Sequence, residues 1–573
     1  MSGAGILQHS GNRFSKYLSY GRDTAPPPSG GGDGTWVARA TDPPAITHWW
    51  NPKTGSDTND GLTAGNAYLT FVYAVDQTVA AGGVLGIVDN TYTSADPGLS
   101  TGDFMATYIG LAPASRLWIR ADTERQAIFE CAGAGSFYLH QASNVSLWGI
   151  TIDSVDDNTK TGVGAVLWCR LTTDVHLYRI LIAKVNNAVD QHGILVSSAT
   201  RPYMEECEVY DYYRHGYSLH RSVQPHMRRC YANARMATAT NDNLTHTTNQ
   251  NYNEGISGYR SNGGLFENCV VEGGADYRIQ CDYTDGEIKS YNQLCAGLIM
   301  NGGRDIHPTD FRAQGSHWNN VTKHFLVLNS TENGIDISTD FQRFENGTIA
   351  QIGAGTRTAI RVESFDTHNF DATSTTAYQS LTGESPATSR ARVENTNIFS
   401  NPHGAYEEVN GGIVRDLAYC NLHGNGGPDT GSDPLNTRLN DADLIANLFT
   451  NSQSTDPTTG VYGLNFSGGQ TVVYIPSGHP LENAGNGEGI DGHIGCTILH
   501  RYEGNTNEGA LPTETLTSTP LWNPDTGQFP HGAVIPGKND QDGTGSYNRD
   551  KCLSTLHTRL GVSAATLPSG YGG

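Results

Sequence analysis

Residues 193–207 read GILVSSATRPYMEEC, residues 216–230 read GYSLHRSVQPHMRRC, and residues 255–269 read GISGYRSNGGLFENC. Each segment opens on glycine and closes on cysteine 14 residues later. Residues 164–178, GAVLWCRLTTDVHLY, open the same way and carry Tyr178 in the cysteine place. The starts lie 29, 23 and 39 residues apart. Short apolar strands at constant register with one elastic turn are what stacked solenoid coils produce: each coil packs only on its neighbours, so the strands must match while one turn is free to swell. The sixteen residues by which the third interval exceeds the second fall within 232–253, a stretch that includes the polar run Thr238–Gln250. Insertions gathered on one side of a solenoid build a binding face. Cys207, Cys230 and Cys269 then form an inward stack of free thiols acting as small apolar groups.

Upstream, Gly55-Ser56-Asp57-Thr58-Asn59-Asp60-Gly61 precedes an amphipathic stretch from Ala67 to Ala81. Phe71, Ala74, Val75, Thr78 and Val79 share one helical face, and Gly82-Gly83 stops the helix. Val84–Val88 follows as a buried strand, then the turn-rich Asp89–Thr93. This order resembles the entry of right-handed parallel β-helix proteins of the pectate-lyase-like superfamily, in which a short helix covers the open end of the coil. The resemblance implies an all-β, right-handed parallel β-helix with a capping helix over 46–430. Strand-like segments continue through Leu298–Met300, Phe325–Leu328, Ala359–Val362, Val393–Phe399 and Gly412–Asn421, with a polar inserted loop at 365–390. Residues 431–573 read as a β-rich C-terminal region. In it, Ile494–Glu503 and Leu516–Trp522 resemble a C-terminal signature of some bacterial β-helix proteins. Pro26-Pro27-Pro28 and Gly30-Gly31-Gly32 set off residues 1–45 as an arm and linker.

Composition agrees. Of 573 residues 68 are glycine without a triplet period, lysine numbers only 8 against 28 arginines, and the net charge is −22. Scarce surface helix formers exclude a helical protein, and the negative field disfavours nucleic acid as a partner. No stretch approaches the roughly 18 apolar residues of a membrane span. The first residues show no apolar core or cleavage site of a signal peptide. Ten cysteines form no Cys-x-x-Cys pair, so zinc ribbons and redox motifs are unsupported.

Aligning the repeats places side chains in columns. The residue before each glycine runs Val163, His192, His215, Glu254. With coils about 4.8 Å apart, His215 is a candidate general base oriented by Glu254; the alternative is a row of turn residues bonded to local backbone. Five residues past the glycine the column runs Cys169, Ser198, Arg221, Arg260. Arg221 and Arg260, beside His220 and Tyr259, suit the carboxylates of an acidic sugar, or else pair with surface carboxylates. Asp211, with Asp190, supplies a paired-carboxylate alternative. Asp57, Asn59 and Asp60, and separately Asp282, Asp285 and Glu287, offer oxygens to Ca²⁺ without EF-hand spacing, and both stretches also read as turns.

The arm, the acidic charge and the Tyr/Asn/Gly-rich surface resemble phage tailspikes and other virion surface proteins. That resemblance implies a homotrimer at the virion surface that binds, and in some cases depolymerises, host surface polysaccharide, with residues 1–45 attaching to other virion proteins. Two alternatives stay open: a free extracellular polysaccharide lyase acting on acidic polysaccharide, and a purely structural β-helix without a sugar site.

Overall fold

The computed structural model describes residues 43–423 and 483–520, apart from shorter segments within each. Among the described residues, thirteen strands form sheet A, from His48–Trp50 to Asp416–Ala418; twelve form sheet B, from Asn90–Thr93 to Asn421–His423; eleven form sheet C, from Phe104–Ile109 to Tyr406–Val409. From Val84–Ile87 onward the chain visits A, B and C in strict rotation, and every pairing within these sheets is parallel. That is a parallel β-helix. Its right-handed sense is the one that parallel crossover connections adopt. Inward side chains from all three sheets make one continuous apolar cluster from Trp50 to Cys420.

From the third coil onward a single residue turns the chain from sheet A to sheet B, and it sits in the left-handed region: Gly149, Arg179, Glu206, Arg229, Asn268, and on to Tyr419. A non-glycine residue there costs roughly 1–2 kcal/mol. The turn persists because it keeps the ladder unbroken: Arg179 N–H donates to Glu205 O at 2.9 Å and Asn268 N–H to Ala296 O at 2.8 Å, each in the next coil. The next residue round the corner points inward. Cys207, Cys230 and Cys269 occupy that place, fully buried and free. Burial pushes the Cys207 and Cys230 thiols far above their ordinary range, as expected of packing groups and not of nucleophiles.

Helix α1, Phe71–Ala80, closes the N-terminal end by burying Phe71, Ala74, Val75 and Thr78. Trp50 lies beneath it, its ring 4.9 Å from Phe71 and its Nε1 donating to Leu69 O at 2.9 Å. Gly82, at φ +64°, ends the helix: Gly82 N–H donates to Val79 O and Gly83 N–H to Thr78 O, a double closure that favours glycine. The loop before the helix is held by Asp57, whose carboxylate accepts from Leu69 N, Thr70 N and Thr70 Oγ1.

The described part of the C-terminal region does not continue the coils. Residues 483–496, the strand His500–Asn505 and its antiparallel partner Thr513–Pro520 run back along the A–B corner. The corner side chains hold them. Asn395 Nδ2 donates to Asn486 O and Asp491 O, Asn346 Nδ2 to Asp491 O and His493 O, and Asn268 Oδ1 accepts from Tyr502 N. His324 Nε2 lies 2.9 Å from Asp491 Oδ1. That bond and the nearby positive charges hold the Asp491 carboxyl below its ordinary value of 3.8. Because the folded value is the lower one, the bond stabilises fully above that pH and is lost as pH falls through the folded value. Amide exchange at Asn486 and Tyr502, corrected for intrinsic rates, should therefore rise as pH drops below about 4. Asp491→Asn should remove that acid dependence.

The repeat alignment differs from the structure in one interval. Ile194 pairs with Tyr217 and His215 with Glu254, which are the 23- and 39-residue offsets of the repeat. Ala165, however, pairs with His192, so the preceding coil is offset by 27 residues and not 29. Ala165 replaces Val163 at the head of the histidine column. Ile180, not Tyr178, precedes Cys207 in the cysteine column, since Tyr178 pairs with Glu205. Residues 1–42, Asp190, Asp211, the polar run Thr238–Gln250, Tyr259, Arg260, Asp282, Asp285, Glu287 and the loop 365–390 lie outside the described residues. For Glu254 the backbone alone is described.

Candidate functional site

The outer face of sheet A is covered. At its N-terminal end the Arg120 guanidinium lies over the Trp148 ring at 4.8 Å and donates to Pro44 O. Further along, Leu511 packs on Leu265, Leu294 and Val321. Sheet C instead presents an open groove of about 270 Å³ on its outer face, lined by Ser100, Asp103, Phe104, Thr107, Tyr138, Trp168 and Arg170.

Parallel register builds that groove in rows across the strands. One row is Phe104, Gly135, Ala165, with His192 continuing it in the next coil. The next outward row is Thr107, Tyr138, Trp168, Leu195 and Ser218; the third is Ile109, His140, Arg170, Ser197 and His220. Phe104 stacks on Tyr138 at 5.0 Å, and Tyr138 meets Trp168 at 5.3 Å. Gly135 permits the first contact, because a Cβ there would collide with the Phe104 ring. Trp168 is fixed by Nε1 donating to Ser197 Oγ at 2.9 Å. Arg170 lies 6.0 Å from the Trp168 ring, and Tyr138 Oη lies 3.1 Å from His140 Nδ1. Burial raises the Tyr138 phenol above its ordinary value, with the Arg170 guanidinium beside it pulling the other way. The result is an apolar shelf edged by hydrogen-bonding and cationic groups. Such a surface takes a flat ring with a polar rim.

His192 and His215 stack with centroids 4.5 Å apart and planes 27° apart, and His215 is in register with Glu254. The structure therefore brings together the column that the sequence aligned. Both rings are nonetheless covered, 2% and 6% exposed. Arg221 is at the other edge of sheet C, in the left-handed corner that leads to sheet A. Six residues of strand separate it from His215, about 20 Å.

Sequence reasoning missed a second constellation. At the A–B corner Arg229 bridges Glu205 and Glu206, while Arg179 pairs with Glu206 at 3.0 Å. Arg125, fully buried, meets Glu208 at 2.9 Å. Glu267 takes both His226, at 2.7 Å, and Arg228, at 2.9 Å. These are internal pairs, and Arg228 and Arg229 also meet the C-terminal segment: Gly504 O accepts from Arg228, and Glu503 lies 3.7 Å from Arg229. Their signal stands in the repeats as the doublets before each cysteine, Glu205-Glu206 against Arg228-Arg229.

Among the described residues no group of three or more His, Cys, Asp or Glu side chains is placed to hold a metal ion, and no helix is long and apolar enough to cross a membrane. Of the calcium candidates that are described, Asp57 is occupied as above. Asp60 Oδ1 accepts from Leu62 N, and Asn59 Nδ2 donates to Ala67 O; all three close the loop.

No protein-family model and no curated protein matches the sequence. Solved structures similar to the chain are all extended over roughly two thirds of it. The tailspike protein of E. coli bacteriophage HK620 in complex with a pentasaccharide is 10% identical, covers 68% of this chain and 79% of its own, with a TM-score of 0.40. An alginate lyase, AlyF-OU02, is 11% identical over 65% of this chain and 79% of its own, at 0.39. The A-module of the Azotobacter vinelandii mannuronan C-5 epimerase AlgE4 is 13% identical over 66% and 96%, at 0.30. At such scores the likeness carries no argument about chemistry, and the fold stands on the strand order itself.

Proposed function

We propose that the chain binds host surface polysaccharide along the outer face of sheet C, as a virion surface protein of tailspike type. The observation that carries this reading is the groove on the outer face of sheet C, where the partly exposed Tyr138 ring lies over the buried Phe104 and Trp168 and beside Arg170. A sugar ring stacks on the Tyr138 face while its hydroxyls and acidic groups meet the rim. In this reading Arg221, Arg260, His192 and Tyr259 are the remaining substrate-binding candidates, with His215, Glu254 and Asp211 as the acid–base set for depolymerisation. Residues 1–45 serve as the attachment to other virion proteins, and the assembly is a homotrimer. The protein then works at the virion surface or outside the cell.

Tyr138→Ala is the direct test. Glycan-array binding followed by calorimetry on the best ligand should show about a tenfold loss of affinity, equivalent to ~1.4 kcal/mol, with an unchanged circular dichroism spectrum. Undiminished affinity would remove the shelf from the site. A wild-type protein that binds no glycan across a broad array would leave the purely structural β-helix. The free extracellular lyase is favoured as second reading by the stacked imidazoles of His192 and His215 in register with Glu254.

A further inference from the structure

Large apolar side chains are exposed at one end of the molecule. Among the described residues they are Leu62, Val72, Tyr73 and Ile109, from 36% to 61% exposed, and all four belong to the cap or the first coil. Ile109 stands on the outer row of sheet C; the other three are on the cap. Helix α1 turns Phe71, Ala74, Val75 and Thr78 inward and leaves Val72, Tyr73 and Asp76 exposed. Val72 adjoins Tyr73, which meets the Tyr68 ring edge-on at 5.3 Å. The same ring lies against Gly61, beside Leu62. Single exposed apolar residues are ordinary, but three together on the end of a solenoid mark a docking surface.

That end is also acidic. Residues 43–110 carry Asp57, Asp60, Asp76, Asp89, Asp96 and Asp103 against Lys53 alone. Two such ends face to face would bring like charge together. Residues 1–22 have the opposite character: Arg13, Lys16 and Arg22 with no Asp or Glu, and Phe14, Tyr17 and Leu18 at the i, i+3, i+4 spacing of one helical face. The chain enters beside the patch, since the first described strand, His48–Trp50, is the edge of sheet A and Trp50 packs on Phe71. Residues 23–42 can span at most about 70 Å, and Gly30-Gly31-Gly32 among them lets the chain turn back.

We propose that residues 13–22 dock on the outer face of α1 in the same molecule, with Phe14, Tyr17 and Leu18 against Leu62, Val72 and Tyr73 and the basic side chains over the acidic surround. The docking does not rest on the polysaccharide reading. It makes attachment to another virion protein a displacement, in which that protein takes the segment from the cap.

The full chain should be digested with trypsin under native conditions, following cleavage after Arg13 and Lys16 by mass spectrometry with Arg39 as the internal reference. The double variant Leu62→Lys, Val72→Lys changes two exposed positions and adds two positive charges. In it, cleavage after Lys16 relative to Arg39 should be about tenfold faster, because proteolysis follows the fraction of time the segment is off its surface. Roughly 1 M salt, which screens charges beyond about 3 Å, should speed the same cleavage in the wild type. Equal ratios in wild type and variant overturn the docking. So does wild-type protection that disappears on dilution, which assigns the patch to the arm of a second copy. A benzophenone side chain at position 72 of the otherwise native chain needs no variant comparison. Crosslinks within one chain to residues 13–22 are expected; crosslinks only elsewhere, or only between chains, overturn the proposal.

Discussion

Arg229→Ala is expected to destabilise the fold by about 3–5 kcal/mol, the cost of removing one partner from a buried ionic cluster. Arg229 is 2% exposed and bridges Glu205, 9% exposed, and Glu206, 5% exposed. Its neighbours in the corner row are Glu206 and Asn268, and the flanking arginines are already engaged: Arg179 holds Glu206, and Arg228 holds Glu267. Truncation therefore removes the arginine from the buried Glu205 carboxylate and leaves Glu206 with Arg179. The measurement is equilibrium denaturation of the variant against the parent. A companion variant in which Glu205→Gln and Glu206→Gln accompany Arg229→Met should recover much of the loss, because an uncharged cluster of similar volume has no charge to desolvate. A loss below about 1 kcal/mol would mean that the cluster behaves as a solvated surface pair.

Trp50→Ala is expected to cost a similar amount, about 3–5 kcal/mol, by opening a cavity that the end of a solenoid cannot collapse. The ring is fully buried between Phe71 at 4.9 Å and Phe129 at 5.9 Å. It is also the tie between the first strand and the chain entering α1, through its bond to Leu69 O. Loss of the ring removes the surface on which the helix sits and strands that carbonyl. The far-ultraviolet signal of α1 should fall along with the denaturation midpoint. Trp50→Phe, which fills part of the space, should cost less than half as much. Equal losses for the two variants would assign the effect to the hydrogen bond.

The coil order was legible wherever one residue type recurred at one structural place. Cys207, Cys230 and Cys269 recur at the inward position after the A–B corner, an apolar place that Ile180, Leu298 and Phe325 fill in other coils, so the 23- and 39-residue offsets were readable. The interval from Gly164 to Gly193 misled because glycine there marks no single place in the coil. The error was two residues, and two residues preserve the alternation of a strand, so the inward and outward faces stayed correct while the partners shifted. The doublets Glu205-Glu206 and Arg228-Arg229 were visible in the same alignment. Stacking one above the other makes them pairs, and the left-handed corner turns the second of each under the C-terminal segment. Only the covering segment, far away in sequence, decides that they are buried. The shelf of Phe104, Tyr138 and Trp168 had no such signal. Its members come from three successive coils with different residues at each place, upstream of the Gly…Cys repeat.

The C-terminal segment changes how such a molecule assembles. A bare solenoid is nearly one-dimensional: each coil contacts its neighbours, and order can spread from any point. Here Asn346 reaches partners 145 and 147 residues away, and Arg228 one 276 residues away. Contacts of such sequence separation are the last to form, since the chain between them must be brought to order first. Interactions made after the barrier slow unfolding and leave the folding rate almost unchanged. The segment thus works as a late clasp over coils that have already propagated. It holds the span from Arg228 to Asn395 as one unit whose persistence is set by how rarely the clasp lets go.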